Sequence, residues 1–246
     1  MSIAEFETGT RAPVCLTWEL TYACNLACAH CLSSSGKRRP DELTFEEIRA
    51  LVDEWAAAGV FYVNIGGGEP MVRPDFFDIV DYTVGSRIGV NFSTNGTMID
   101  AARAQRLAAM DYEDLQVSLD GVDAEPNDAI RGPGSYAQAR QAMDHLAAAG
   151  FEDYKISVVL TRGSNGQLDR LQELAEGFSA RLRLTRLRPS GRGVDVWDKL
   201  RPTTQQTRDL HAWLLEHPGA LTGDSLFHLN AFGQSLPGLS MCGAGR

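Results

Sequence analysis

The chain has 246 residues, 43% of them hydrophobic, with a formal net charge of −9 from 32 acidic and 23 basic residues. That composition supports a packed core, argues against disorder, and disfavours a general nucleic-acid or lipid-surface role. The opening "MSIAEFETGTRAPV" lacks a basic-then-apolar leader, and no apolar run approaches the ~18 residues that span a bilayer. A cytoplasmic protein with no nucleic-acid or membrane partner is expected, and in that reducing compartment clustered cysteines point to metal or redox chemistry before disulfides.

Short β-branched runs alternate with longer amphipathic segments. Strands are expected near 14–20, 60–65, 88–92, 114–119, 155–160 and 181–187, and helices near 44–58, 75–85, 100–110, 135–149, 166–178 and 203–216. The first helix opens on a capping box, Thr44 with Glu47 three residues on, and closes before Gly59. The fourth helix runs from Ser135 to Gly150. Phe45, Ile48, Leu51, Val52 and Trp55 recur at helical spacing and read as core packing. Six β-then-α units in series mean parallel strands joined by helical crossovers. This α/β pattern fits a partial barrel or a doubly wound sheet, and both place ligands at the carboxyl ends of the strands.

Those strand ends carry unusual residues. The first strand runs into a cysteine cluster, the second into Gly66-Gly67-Gly68-Glu69-Pro70, and the third into Ser93-Thr94-Asn95-Gly96. The fourth ends in Ser118-Leu119-Asp120-Gly121 and the sixth in Arg188-Pro189-Ser190-Gly191-Arg192-Gly193. After about residue 218 the pattern dissolves into a loop-like tail.

The stretch "ELTYACNLACAHCLSSSGKR" sets Cys24, Cys28 and Cys31 inside eight residues. A closed zinc site usually takes four protein ligands, and His30 adjoins Cys31 too closely for easy joint ligation. Thiolates also hold iron–sulfur clusters, and a cube of four irons on three cysteines leaves one iron open to a substrate. On spacing alone, zinc and free thiols remain alternatives. The glycines after the second strand let backbone approach a ligand closely, or simply turn the chain. Ser93, Asn95 and Ser118 offer hydrogen bonds to a ribose or carboxylate, although Asn-Gly is also an ordinary turn pair. Asp120 is a candidate cap for its turn, and Cys15 a small buried hydrophobe. Between Arg181 and Arg201, seven basic residues face two acids. One or two of these arginines suit a carboxylate ligand, or else they line a solvated edge.

CxxxCxxC after the first strand and GGEP after the second resemble the radical SAM enzymes, across nearly the whole chain. "CLTWELTYACNLACAHCLSSSGKR", "FYVNIGGGEP", "FSTNG", "SLDG", "AIRG", "TRLRPSGRG" and the "LTGDS" and "FHL" segments are similar to the mycofactocin radical SAM maturases. The resemblance implies a partial (β/α)6 TIM-like barrel, with a radical SAM core over residues 1–217 and the start of a truncated SPASM-type region over 218–246. It implies a [4Fe-4S] cluster on Cys24, Cys28 and Cys31. It also implies S-adenosylmethionine bound with help from Gly67, Gly68, Glu69, Ser93, Asn95 and Ser118, Glu69 facing its ammonium group. Related enzymes often place an aromatic residue where His30 stands. The implied reaction abstracts hydrogen from the terminal Tyr of a precursor peptide ending in Val-Tyr, decarboxylates it oxidatively, and cross-links it to the Val. A small peptide-binding partner protein and an electron donor are further implied. Cys242 stands where the family begins an auxiliary-cluster region; alone it holds no cluster, so none is expected here.

Overall fold

A computed structural model describes residues 13–111, 114–223, 226–234 and 236. Cys242 lies outside the described residues. The strands are β1 (Cys15–Thr21), β2 (Tyr62–Gly67), β3 (Gly89–Thr94), β4 (Asp114–Ser118), β5 (Lys155–Leu160), β6 (Arg181–Arg186) and β7 (Leu221–Thr222). The helices are α1 (Phe45–Ala58), α2 (Phe76–Gly85), α3 (Ala101–Ala108), α4 (Ala124–Arg131), α5 (Ser135–Ala148), α6 (Leu168–Gly177), α7 (Gly193–Leu200) and α8 (Thr204–Glu216).

The seven strands form one parallel sheet in sequence order. A doubly wound sheet would reverse its strand order at a switch point. This one advances monotonically and stays open, as a partial barrel does. Six strands were expected; a seventh, two residues long, pairs through Arg183↔Leu221 and Leu184↔Thr222. It lies inside the stretch that reads as a loop-like tail, where Leu226 and Leu229 also join the core. Two residues are too short to show a period of two, so sequence pattern does not find this strand.

Strand alternation makes the sheet two-faced. Val63, Ile65, Val90, Phe92, Leu115, Val117, Ile156, Val158, Leu182 and Leu184 are buried beneath the helices. The residues between them, among them Asn64, Asn91, Ser93, Gln116, Ser118 and Ser157, are half-buried on the concave face. The helices supply the other wall of the core: Ile48 and Val52 from α1, Phe76, Ile79 and Val80 from α2, Ala142, Met143 and Leu146 from α5. Phe76 meets Phe92 edge to face with ring centroids 5.2 Å apart, a geometry the ring quadrupoles favour. The expected caps on α1 are present. Thr44 Oγ1 accepts from Glu47 N, Glu47 Oε2 accepts from Thr44 N at 2.8 Å, and Gly59 ends the helix at φ 87°. Among the described residues no helix is long and apolar enough to cross a membrane.

Because all strands run the same way, every carboxyl end falls on one rim. The loops after β1, β2, β3, β4 and β6 therefore meet there.

Candidate metal and cofactor site

The loop after β1 carries the cysteines, and its path is set by contacts from the loops after β2, β3 and β6 and from the end of α4. Beyond β2, Gly68 N donates to Thr21 O at 2.7 Å and Glu69 N to Ala23 O at 2.9 Å, so strand-like pairing continues past the end of β1. A Cβ on Gly68 would lie 1.9 Å from Ala23 O, and one on Gly67, at φ 101°, would lie 2.5 Å from Thr21 O. The close approach these glycines allow is thus first of all to the cysteine loop's own backbone. Ala29 N donates to Ile130 O at 2.8 Å at the end of α4. Arg192 donates from Nε to Cys28 O and from Nη1 to Ser35 O, both at 2.8 Å. Ser190 Oγ donates to Leu32 O at 3.0 Å.

Among the described residues all four cysteines are free and half-buried. Burial pushes up the thiols of Cys24 and Cys28. Burial acts on Cys31 the same way, but the Ser33 hydroxyl, the backbone N–H groups of Ser35 and Ser33, and the Arg192 guanidinium outweigh it and pull that thiol down. Cys24 feels Cys31 electrostatically, and Cys28 feels both of the others. Among the described residues no three His, Cys, Asp or Glu side chains converge to hold a single ion. Three thiolates on one loop leave a closed tetrahedral zinc site one cysteine short and suit a cluster in which each ligates a different iron. The donor set fits an iron–sulfur cluster.

Glu69 is buried at 1% exposure just beyond this loop. Its carboxylate accepts from Thr94 Oγ1 at 2.9 Å, Asn95 N at 2.7 Å and Met71 N at 3.2 Å. Burial nevertheless wins and raises its pKa to about 7. Asn95 sits beside it, with Nδ2 donating to Asn25 Oδ1 at 2.9 Å and lying 3.9 Å from Cys24 Sγ. Gly67, Gly68, Glu69 and Asn95 are therefore gathered against the cysteine loop. Ser93 and Ser118 lie on the concave face below, Ser118 opposite Ser157.

Beneath the loop is a group whose roles sequence pattern does not show. Asp120, fully buried, holds His30 Nε2 at 2.8 Å and Arg131 Nε at 2.6 Å through one carboxylate oxygen. Its other oxygen accepts from Val159 N at 2.8 Å. Burial opposes ionisation, but Arg131 and His30 outweigh it and hold the carboxyl below the usual carboxylate range. Asp120 is thus a buried hub, not a turn cap. Cys15 also departs from expectation: it is half-buried and accepts from Asn64 Nδ2 at 2.9 Å. Of the basic segment, Arg181 pairs with Asp153 at 2.7 Å, Arg201 with Asp198 at 3.6 Å, and Arg192 binds carbonyls. "AIRG" and "SGRG" are the strings that hold Arg131 and Arg192, and nothing in their local pattern assigns either a partner.

A parallel open barrel with three thiols on its first loop and a buried carboxylate on its second defines a class, and the Radical SAM superfamily family model matches residues 18–175. The chain belongs to the radical SAM superfamily, whose members use a [4Fe-4S] cluster and S-adenosylmethionine. Within it, the chain is 59% identical over 247 aligned residues to Mycofactocin maturase MftC of Mycobacterium ulcerans (strain Agy99), covering 99% of this chain and 67% of that protein. It is 57% identical to the Mycolicibacterium smegmatis (strain ATCC 700084 / mc(2)155) MftC, covering 99% of this chain and 63% of that protein. The chain thus spans 63–67% of the length of these relatives. Streptococcus suis SuiB bound to S-adenosylmethionine shares the fold, with TM-score 0.74 and 18% identity over 92% of this chain and 55% of that chain.

Proposed function

We propose that this chain is the radical-generating part of a mycofactocin-type peptide maturase. The observation that carries the reading is the set of three free thiols on the β1 loop, gathered with Glu69 and Asn95 in a chain 59% identical to MftC. Cys24, Cys28 and Cys31 hold the [4Fe-4S] cluster, Cys31 being the readiest thiolate. When bound, the cluster and S-adenosylmethionine supply the 5′-deoxyadenosyl radical; the organic chemistry is theirs.

The protein's share is positioning. Glu69 meets the ammonium group of S-adenosylmethionine. A buried carboxyl with a pKa of about 7 ionises readily beside a cation, and its three donors already favour the charged form. Gly67 and Gly68 bring that carboxylate up to the cysteine loop. Asn95, Ser93 and Ser118 direct amide and hydroxyl groups toward the ribose and carboxylate. The substrate is a precursor peptide ending in Val-Tyr, whose terminal Tyr is oxidatively decarboxylated and then joined to the Val. A small peptide-binding protein delivers it, and an external donor reduces the cluster.

The test is anaerobic reconstitution with iron and sulfide, followed by dithionite and S-adenosylmethionine. 5′-Deoxyadenosine forms with the native chain and is absent with Cys24→Ala. An intact cluster by absorbance and EPR that yields no 5′-deoxyadenosine would sink the active reading for these 246 residues.

A further inference from the structure

The loop after β6 makes contacts that the cofactor assignments above do not use. Arg192 reaches across the fold to two carbonyls of the cysteine loop: Cys28 O, on a thiol-bearing residue, and Ser35 O, four residues beyond Cys31. Ser190 holds a third, Leu32 O. These three bonds bracket Cys31 from both sides. Two glycines make the approach possible. At φ 54° Gly191 lies so close that a Cβ would fall 2.5 Å from both Cys31 O and Leu32 O. A Cβ on Gly193 would fall 2.4 Å from Arg188 O and 3.4 Å from His30 O. The next helix, α7, starts at Gly193 itself, so the segment is fixed on both sides, by β6 and by α7.

We infer that Arg192 is a positioning residue: with Ser190 it clamps the cysteine loop from the β6 side, and its guanidinium sets a permanent positive charge beside Cys28 and Cys31. The inference rests on the cluster assignment for the electrostatic half and on the loop geometry alone for the clamp. Arginine suits the role because its planar guanidinium presents several donors, so that separate nitrogens reach two carbonyls, and it never loses its charge. Two charge-assisted bonds to carbonyls restrain a stretch that is otherwise mostly turns and bends. A fixed positive charge beside a cluster favours the added electron, and so raises the reduction potential.

Three measurements on Arg192→Ala and Arg192→Lys decide it. In the metal-free chain, amide exchange across residues 28–36 accelerates in Arg192→Ala on the order of tenfold, as expected for the loss of a charge-assisted bond. In the reconstituted chain, iron is lost to a chelator faster in both variants, because lysine cannot bracket two carbonyls. The midpoint potential by EPR titration falls in Arg192→Ala and is kept in Arg192→Lys, a split that a merely structural residue would not give. Exchange unchanged in Arg192→Ala overturns the clamp, whether or not a cluster assembles. A potential unchanged in Arg192→Ala overturns the electrostatic half. A native chain that takes up no iron would sink the cluster assignment, and the exchange data would still decide the clamp. Should Arg192→Ala fail to fold, Ser190→Ala removes only the bond to Leu32, and the same exchange criterion applies.

Discussion

Glu69 sits where burial and hydrogen bonding pull in opposite directions. Burial favours its neutral form, three donors favour the charged one, and the outcome is a pKa of about 7. An unfolded Glu titrates near 4.5. Between those values the folded chain binds more protons than the unfolded one, so stability falls as pH rises through that window. From pH 5 to pH 8 the metal-free native chain loses roughly 2.5 kcal/mol to this one group. Glu69→Gln carries no such loss. Urea unfolding of both proteins at the two pH values measures it, and parallel losses in the two would rule it out. Asp120 shows the opposite balance at equal burial, because the Arg131 guanidinium and the His30 ring lie against it where Glu69 has only neutral donors. The charge state at each position is thus set by what the neighbouring strand ends present.

At the scale of elements, the glycines at the end of β2 separate packing from freedom. A Cβ on Gly68 meets Ala23 O at 1.9 Å, whereas one on Gly66 meets nothing within 4 Å. Gly68→Ala therefore pushes the β2 loop off the cysteine loop, and iron content after reconstitution falls well below native. Gly66→Ala leaves the metal-free stability within about 1 kcal/mol of native. Equal iron uptake by Gly68→Ala and the native chain would refute the packing argument. The run of glycines was legible in the sequence, but which of them touches the cysteine loop was not, because the contact joins residues about 45 positions apart. The same limit hid Asp120, His30 and Arg131. Each is an ordinary polar residue in its own stretch, and only the parallel sheet brings them within 3 Å. Strands β1 to β6 and six of the helices were readable because their periods are clean. Helix α4 was not, since its eight residues include Pro126, Asn127 and Asp128, all weak helix formers. Helix α7 begins on Gly193, which reads locally as loop. The three cysteines were the plainest signal, because their meaning lies in spacing along eight residues and needs no tertiary contact.

For the molecule as a whole, the cysteine loop is a junction between distant parts of the sheet. It receives bonds from the loops after β2 and β6, from the end of α4, and from Asn95 after β3 through Asn25. These segments span both halves of an open sheet whose first and last strands do not pair. Ligands that lock this loop thereby restrain strands that backbone pairing alone leaves free to splay. A bound cluster stabilises the folded state by binding it and not the unfolded chain. If the loop were an appendage, that gain would stay local and the bulk of the domain would melt at its metal-free temperature. Because it is a junction, reconstitution raises the Tm of the whole domain in one cooperative transition, and anaerobic chelation returns it. Far-UV circular dichroism follows the helices, and fluorescence follows the four tryptophans, of which Trp18 and Trp55 pack edge to face at 5.2 Å on β1 and α1. Both probes shift together on cluster loading. A shift in the tryptophan signal with an unmoved helical transition would show that the loop and the barrel melt as separate units.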